Sequence, residues 1–205
     1  MIKRNTEDAI IEAARALFAR FGFKRTAVEQ IAKQAQVSKA TLYSYYSSKE
    51  ALFAEVVRRE AKSMFAEVSL AVEKAPPEDR IRTLIETHYQ ALIARINPGD
   101  TTAAVLGEIL PLAFQAAEDL VAQGLELTES LVRQGCEAGI FHCEDPAAAA
   151  RALQFALRSM DMTFVAMAED RACFHQGYQE LLDLLIAGLQ HNPSPPTTLE
   201  AGANR

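Results

Sequence analysis

The stretch TAVEQIAKQAQVSKATLYSYYSSKEALF, residues 26–53, carries helical faces separated by almost nothing. Thr26 and Glu29 stand three apart as a capping box. Val28, Ile31, Ala32 and Ala35 then follow at i, i+3, i+4 and i+7. Gln36 and Val37 make a tight turn, Ser38 caps a third helix over residues 39–45, and Ser47 or Ser48 starts a fourth. Residues 37–53 hold three tyrosines, four serines and two lysines among few large aliphatics. A helix that only builds core has no use for hydroxyls, rings and ammonium groups. A surface that meets phosphates does.

Two short helices joined by a tight turn describe a helix-turn-helix. In that motif the second helix enters the major groove and leads with its N-terminal residues. Lys39, Ala40, Thr41 and Ser44 lie on one face at that end and are the expected base contacts. Lys39 can donate to guanine O6 or N7, and the Ala40 and Thr41 methyls can meet a thymine methyl. Leu42 and Tyr46, four apart, face inward. Tyr43 and Tyr45 lie on other faces and can donate to phosphates, as can Thr26 and Lys49 at helix starts. These four are the expected phosphate contacts, which position a protein without specifying sequence.

Working outward, residues 5–21 place Ile10, Ala14, Leu17, Phe18 and Phe21 on one face of a first helix that Gly22 ends. No Gly or Pro interrupts residues 49–75, so a fourth helix runs about 35–40 Å to Pro76-Pro77. Further helices are expected over residues 78–96, 102–114, 117–138, 146–168 and 174–189. The fold class is all-α, with no convincing strand. The tail 191–205 has three prolines and little to bury, and reads as disordered.

Charge divides the chain in the same way. The whole carries −6, but residues 1–62 hold twelve Lys and Arg against seven Asp and Glu, while the remainder is strongly acidic. Only the first part is suited to an anionic partner. No run of 18 apolar residues exists, so no membrane partner is expected, and no secretory signal is visible. Cys136, Cys143 and Cys173 have no CxxC spacing and read as reduced thiols of a cytoplasmic protein.

Residues 6–57 resemble the DNA-binding module of the TetR/AcrR-type transcriptional regulators. ARALFARFGFKRTAVEQIA, the turn, SKATLY, an aromatic pair and SKEALF occur in order at the family's spacing. Gln36 stands where the family very often has glycine, Tyr46 where it often has phenylalanine, and Ala27 replaces a common threonine. The resemblance implies an N-terminal helix-turn-helix domain (1–48), a long connecting helix shared by both domains (49–75) and a helical ligand-binding and dimerisation domain (76–190). It further implies a homodimer, a double-stranded DNA operator and a small-molecule effector whose binding tilts the connecting helix. Recognition helices of such a dimer sit about 34–36 Å apart on a palindrome.

In the acidic part, Ala152, Phe155 and Ala156 offer a small-residue face, and Tyr178, Leu182, Leu185, Ile186 and Leu189 an apolar stripe. Together they are the expected dimer surface. His88, Tyr89, Phe114, Met160, Phe164 and Met167 are the candidate pocket residues, soft or aromatic side chains suited to an apolar ligand. Arg158 and Asp161, three apart, are expected to pair with each other or with solvent.

An enzyme is not expected. GxSxG, HExxH, P-loop and GxGxxG patterns are all missing and the four histidines are scattered. No cofactor or metal is expected. The alternative is a metal- or thiol-responsive regulator using His142, Cys143 and Cys136. Neighbours in a row rarely converge on one metal, and Glu137, Glu144 and Asp145 oppose the low thiol pKa that a redox switch wants. The reading is a ligand-responsive regulator, a repressor released by a small hydrophobic molecule.

Overall fold

A computed structural model describes residues 6–95, 102–166 and 171–191, with the backbone alone for 103, 162–166, 171 and 172. Among them the chain is all-α, with nine α-helices, one 3-10 turn and no strand. The expected tail beyond His191 lies outside the described residues.

Three helices form the N-terminal unit: α1 (Thr6–Arg25), α2 (Val28–Gln34) and α3 (Lys39–Tyr45). α1 is interrupted where expected, at Gly22, whose φ of 82° is not helical. One further turn then reaches Arg25. The cap of α2 falls one residue later than expected. Ala27 is the N-cap, and the Gln30 carboxamide oxygen accepts from its N–H at 2.9 Å. Thr26 is thereby released to turn inward. It is 1 % exposed, and its hydroxyl donates to the carbonyls of Gly22 at 2.7 Å and Leu17 at 3.2 Å, tying down the frayed end of α1. In the turn between α2 and α3, Gln36 takes a φ of 59°, the left-handed conformation that glycine accepts most cheaply.

Ile10, Ala14, Phe18, Ile31, Leu42 and Tyr46 pack with Leu52, Phe53 and Val56 of α4 (Lys49–Lys74) into one apolar cluster. Phe18, Phe23 and Phe53 meet at centroid distances of 5.1–5.8 Å. A second cluster begins on the same helix at Val68 and Val72. It is completed by α5 (Arg80–Arg95), α6 (Ala103–Ala116), α7 (Glu118–Glu137), α8 (Pro146–Ala166) and α9 (Arg171–Gln190). α6 also serves both: Leu106 and Leu110 belong to the second cluster, Ile109 and Leu112 pack against the first.

The expected dimer stripe on α9 is largely core. Tyr178, Leu182, Ile186 and Leu189 are buried in the second cluster, where Tyr178 donates to the Ile85 carbonyl at 2.8 Å, and Leu185 packs against it half-buried. A helix with apolar residues on more than one face offers two stripes, and periodicity cannot tell which one faces inward. The outward one carries Leu181 and Leu184, the latter 69 % exposed. On α8, Phe155 is 75 % exposed, Ala152 is exposed and Ala156 half-buried.

Candidate nucleic-acid interface and effector cavity

α3 is held by its own polar side chains. The Ser38 hydroxyl accepts from Thr41 N–H at 2.9 Å and shares a hydrogen bond with the Thr41 hydroxyl at 2.8 Å. Ser44 donates to the Thr41 carbonyl at 2.7 Å. Leu42 is fully buried and anchors the helix, while Lys39, Ala40, Tyr43, Ser44 and Tyr45 are exposed and Thr41 half-exposed. The expected base face is therefore presented together.

Three expected contacts are already engaged. The Lys39 ammonium forms an ion pair with Glu29 of α2 and stands 5.8 Å from the centre of the Tyr43 ring. Each partner shifts the other, Lys39 upward and Glu29 downward, chiefly through their shared hydrogen bond. Lys49 points inward rather than at a phosphate. Its Nζ donates to the carbonyls of Phe23 at 2.9 Å and Thr26 at 3.3 Å and lies 4.3 Å from the Phe23 ring centre. Those carbonyls close the end of α1 and want a cation. The start of α4 is served by Ser48, which accepts from Ala51 N–H at 3.1 Å. Glu50 sits in the same turn, its carboxyl held below the usual range by its own backbone N–H and then by Ser48. Of the expected phosphate contacts, Thr26 and Lys49 are thus occupied by carbonyls of the protein itself, and Tyr43 and Tyr45 are exposed at the surface.

Between the two clusters lies a cavity of about 290 Å³. Phe18 and Phe53 enter it from the first cluster, Leu84, Leu106, Leu110 and Leu157 from the second. Its wall is mostly apolar, and its ion-paired groups gather at two places. Beneath the helix-turn-helix, Glu60 lies between Arg15, at 3.7 Å, and Arg95, at 3.2 Å. The Arg95 Nε faces Glu60 without the alignment a hydrogen bond needs, and is buried. Deeper in, His88 Nε2 stands 3.2–3.3 Å from both carboxylate oxygens of Asp161, which is 5 % exposed. Asp161 pairs with His88 of α5 instead of the expected Arg158 or solvent, because residues 154, 157, 158 and 161 of α8 share the face turned to the cavity.

Of the expected pocket residues, His88 and Phe114 line this cavity. Tyr89 does not. It is buried on the adjoining face of α5, stacked on Tyr178 with ring centres 4.1 Å apart. Met160 is buried one helical position away, beside a second cleft shared with Cys173, Phe174 and Leu181 of α9. The Phe164 side chain and the whole of Met167 lie outside the described residues. Sequence reasoning missed Asp161 as a cavity group, and of the α6 wall it found Phe114 alone. A carboxylate on the apolar face of α8 was the available signal.

A contact in α6 joins cavity and reader. Glu108 Oε1 accepts from the backbone N–H of Lys24, and a Cβ placed on Gly22 would lie 3.2 Å from the same carboxylate. Among the described residues no group of three His, Cys, Asp or Glu side chains could hold a metal ion, and no helix is long and apolar enough to cross a membrane.

Comparison with known proteins agrees with this arrangement. Residues 10–56 match the model of bacterial regulatory proteins of the tetR family, and residues 77–184 match a tetracyclin repressor-like C-terminal domain. The fatty acid metabolism regulator protein of Bacillus subtilis is 25% identical over 194 residues, covering 93% of this chain and 98% of that one. The Escherichia coli K12 regulator RutR is 45% identical over 71 residues, 35% of this chain and 31% of its own. Among solved structures, the transcriptional regulator FadR from Bacillus subtilis in complex with stearoyl-CoA superposes with a TM-score of 0.70 at 21% identity, covering 88% of this chain and 97% of that one. The chain belongs to the tetR family of bacterial transcriptional regulators, with an N-terminal helix-turn-helix and a C-terminal helical domain.

Proposed function

We propose that the protein is a homodimeric repressor that binds a palindromic operator and is released by an apolar effector seated between its two apolar clusters. The observation that carries this reading is the position of the cavity. Phe18 and Phe53 contribute both to its wall and to the core that holds α3, so an occupant cannot be felt by one unit alone. An effector acts by binding the released state more tightly, by about 5.5 kcal/mol for a near-complete switch.

A fatty-acyl compound is the effector class we favour. The Bacillus subtilis relative is a fatty acid metabolism regulator, and its structural counterpart was solved with stearoyl-CoA. The long apolar wall suits an acyl chain, and the His88–Asp161 pair supplies a polar point against which a carbonyl or hydroxyl can be oriented. Lys39, Ala40, Thr41 and Ser44 remain the proposed base contacts, with Tyr43 and Tyr45 on phosphates. Dimerisation is proposed through the outward stripe, Phe155 of α8 with Leu181 and Leu184 of α9, which no other described part of the chain covers.

Selection of bound duplexes from a random library, followed by titration of the recovered operator with stearoyl-CoA and free fatty acids of graded length, tests the reading. A palindromic consensus released by one chain length supports it. A consensus that no acyl compound releases at saturation would reject the effector class, and recovery of no consensus would reject the reader.

A further inference from the structure

We infer that Cys136 and Cys143 are a covalent modification site, a thiol pair that closes into an intramolecular disulfide across the corner between α7 and α8. Their Sγ atoms lie 2.6 Å apart, and both side chains are half-buried rather than sealed in the core. A disulfide needs two side chains that the backbone already aims at one another. This corner does so.

The backbone leaves α7 through a closed turn. Gly139 N–H donates to the Cys136 carbonyl at 3.1 Å, and both Ile140 and Phe141 N–H donate to the Gly135 carbonyl, at 2.9 and 3.1 Å. The Phe141 ring lies where a side chain at 135 would be: a Cβ there would come within 2.0 Å of it. The next residue is tied to a different helix, His142 N–H donating to the Leu189 carbonyl of α9 at 2.7 Å. Beyond Cys143, Asp145 caps α8 by accepting from Ala147 and Ala148 N–H at 2.9 and 3.0 Å. With both flanks of Cys143 fixed, the chain is returned onto Cys136 by its backbone. The folded state has already met the entropy of closing this short loop.

The reaction takes a small-molecule disulfide such as oxidised glutathione as oxidant. The Cys136 thiolate attacks one sulfur of that disulfide, forming a mixed disulfide and expelling the other half as a thiolate. Cys143, once deprotonated, attacks Cys136 Sγ and expels the second half. The two cysteine protons end on the two expelled thiols, the protein pair loses two electrons, and the reagent gains them. Burial, then the Cys136 neighbour and Asp145, push the Cys143 thiol up to about 11. A suppressed thiolate makes closure slow. Half-burial of both sulfurs also limits the access of an external thiol to the bond once made. These properties belong to a slow staple rather than a fast peroxide sensor.

The test incubates the full chain, folded, with oxidised glutathione, then denatures it in acid and alkylates remaining thiols for intact mass and peptide mapping. The expected result is loss of two hydrogens, one alkylatable thiol at Cys173, a 136–143 cross-linked peptide, full reversal by dithiothreitol, and a higher melting temperature while oxidised. Cys173→Ser should cross-link as the parent does. Cys136→Ser and Cys143→Ser should instead keep a glutathione adduct or a free thiol. Three alkylatable thiols after prolonged incubation, a glutathione adduct persisting on the parent pair, or a bridge to Cys173 would overturn the inference.

Discussion

Glu108 of α6 accepts a hydrogen bond from the Lys24 backbone N–H at 2.7 Å, across 84 residues of sequence. It joins the wall of the cavity to the turn that precedes α2. A carboxylate on a backbone N–H is a charge-assisted bond, stronger than a neutral one. Glu108→Ala should expose the Lys24 amide and alter coupling between effector and operator by about 0.5–2 kcal/mol. Hydrogen exchange at Lys24 checks the contact, and operator titrations with and without effector check the coupling. Unchanged protection at Lys24 would remove α6 from the pathway.

Lys39 is paired with Glu29 before DNA arrives, so binding must exchange one anion for another. Glu29→Gln should raise affinity for operator and random DNA alike, because it removes a competing carboxylate beside the groove. Lys39→Ala should cost operator binding about 1–3 kcal/mol and relax preference at one base pair. Competition anisotropy at two salt concentrations separates the two effects. Equal losses on operator and random DNA for Lys39→Ala would demote it to a phosphate contact.

Lys49 closes the end of α1 by donating to Phe23 and Thr26 carbonyls. Lys49→Ala should therefore lower the stability of the N-terminal unit by about 1–3 kcal/mol, with DNA affinity falling uniformly as the fold loosens. Urea unfolding followed at the tyrosines distinguishes this from a lost phosphate contact, which would weaken binding and leave the midpoint unmoved.

The reader was legible in the sequence because its signals are local. Caps, a turn and a burial period all fall within residues 26–53, whereas the inward bonds of Thr26 and Lys49 to the chain's own carbonyls were not foreseen. Both concern the end of α1, whose open carbonyls depend on where Gly22 breaks the helix and not on the residues that answer them. The sensor half was legible as helices but poorly as faces. Tyr178, Leu182 and Ile186 look the same on paper whether they meet a core or a second copy. Asp161 found its partner 73 residues away, a distance over which periodicity carries no information.

Tyr46 is buried and donates to Glu7 at 3.1 Å. Burial first, then that carboxylate, push its phenol up to about 12 from the usual 10.0. Folding thus favours the neutral ring. The contribution is complete below the unfolded value of 10.0 and is lost as pH rises through the folded value of about 12. Tyr46→Phe should cost about 1 kcal/mol at neutral pH and flatten the alkaline limb of the stability curve. Melting temperatures measured between neutral pH and the alkaline limit check both. An unchanged alkaline slope would mean another group governs it.

Ala113 lies in α6 on the cavity wall. Ala113→Leu should fill part of the space, leave operator affinity within about twofold, and weaken effector binding by tenfold or more. A wall with little room to yield turns added methylenes into about 1–3 kcal/mol of strain. Calorimetric titration with stearoyl-CoA is the direct measurement. Unreduced effector affinity would place the ligand elsewhere.

Because α4 and α6 each contribute to both apolar clusters, the molecule has no clean seam along which to be cut. A fragment ending near the middle of α4 would strip Ile109 and Leu112 from the first cluster and bare the Phe18 and Phe53 rings to water. Such a fragment should aggregate rather than read DNA. The intact chain should melt as one cooperative block, and an evolutionary exchange of sensor halves between relatives would succeed only if it carried α6 together with the reader it touches.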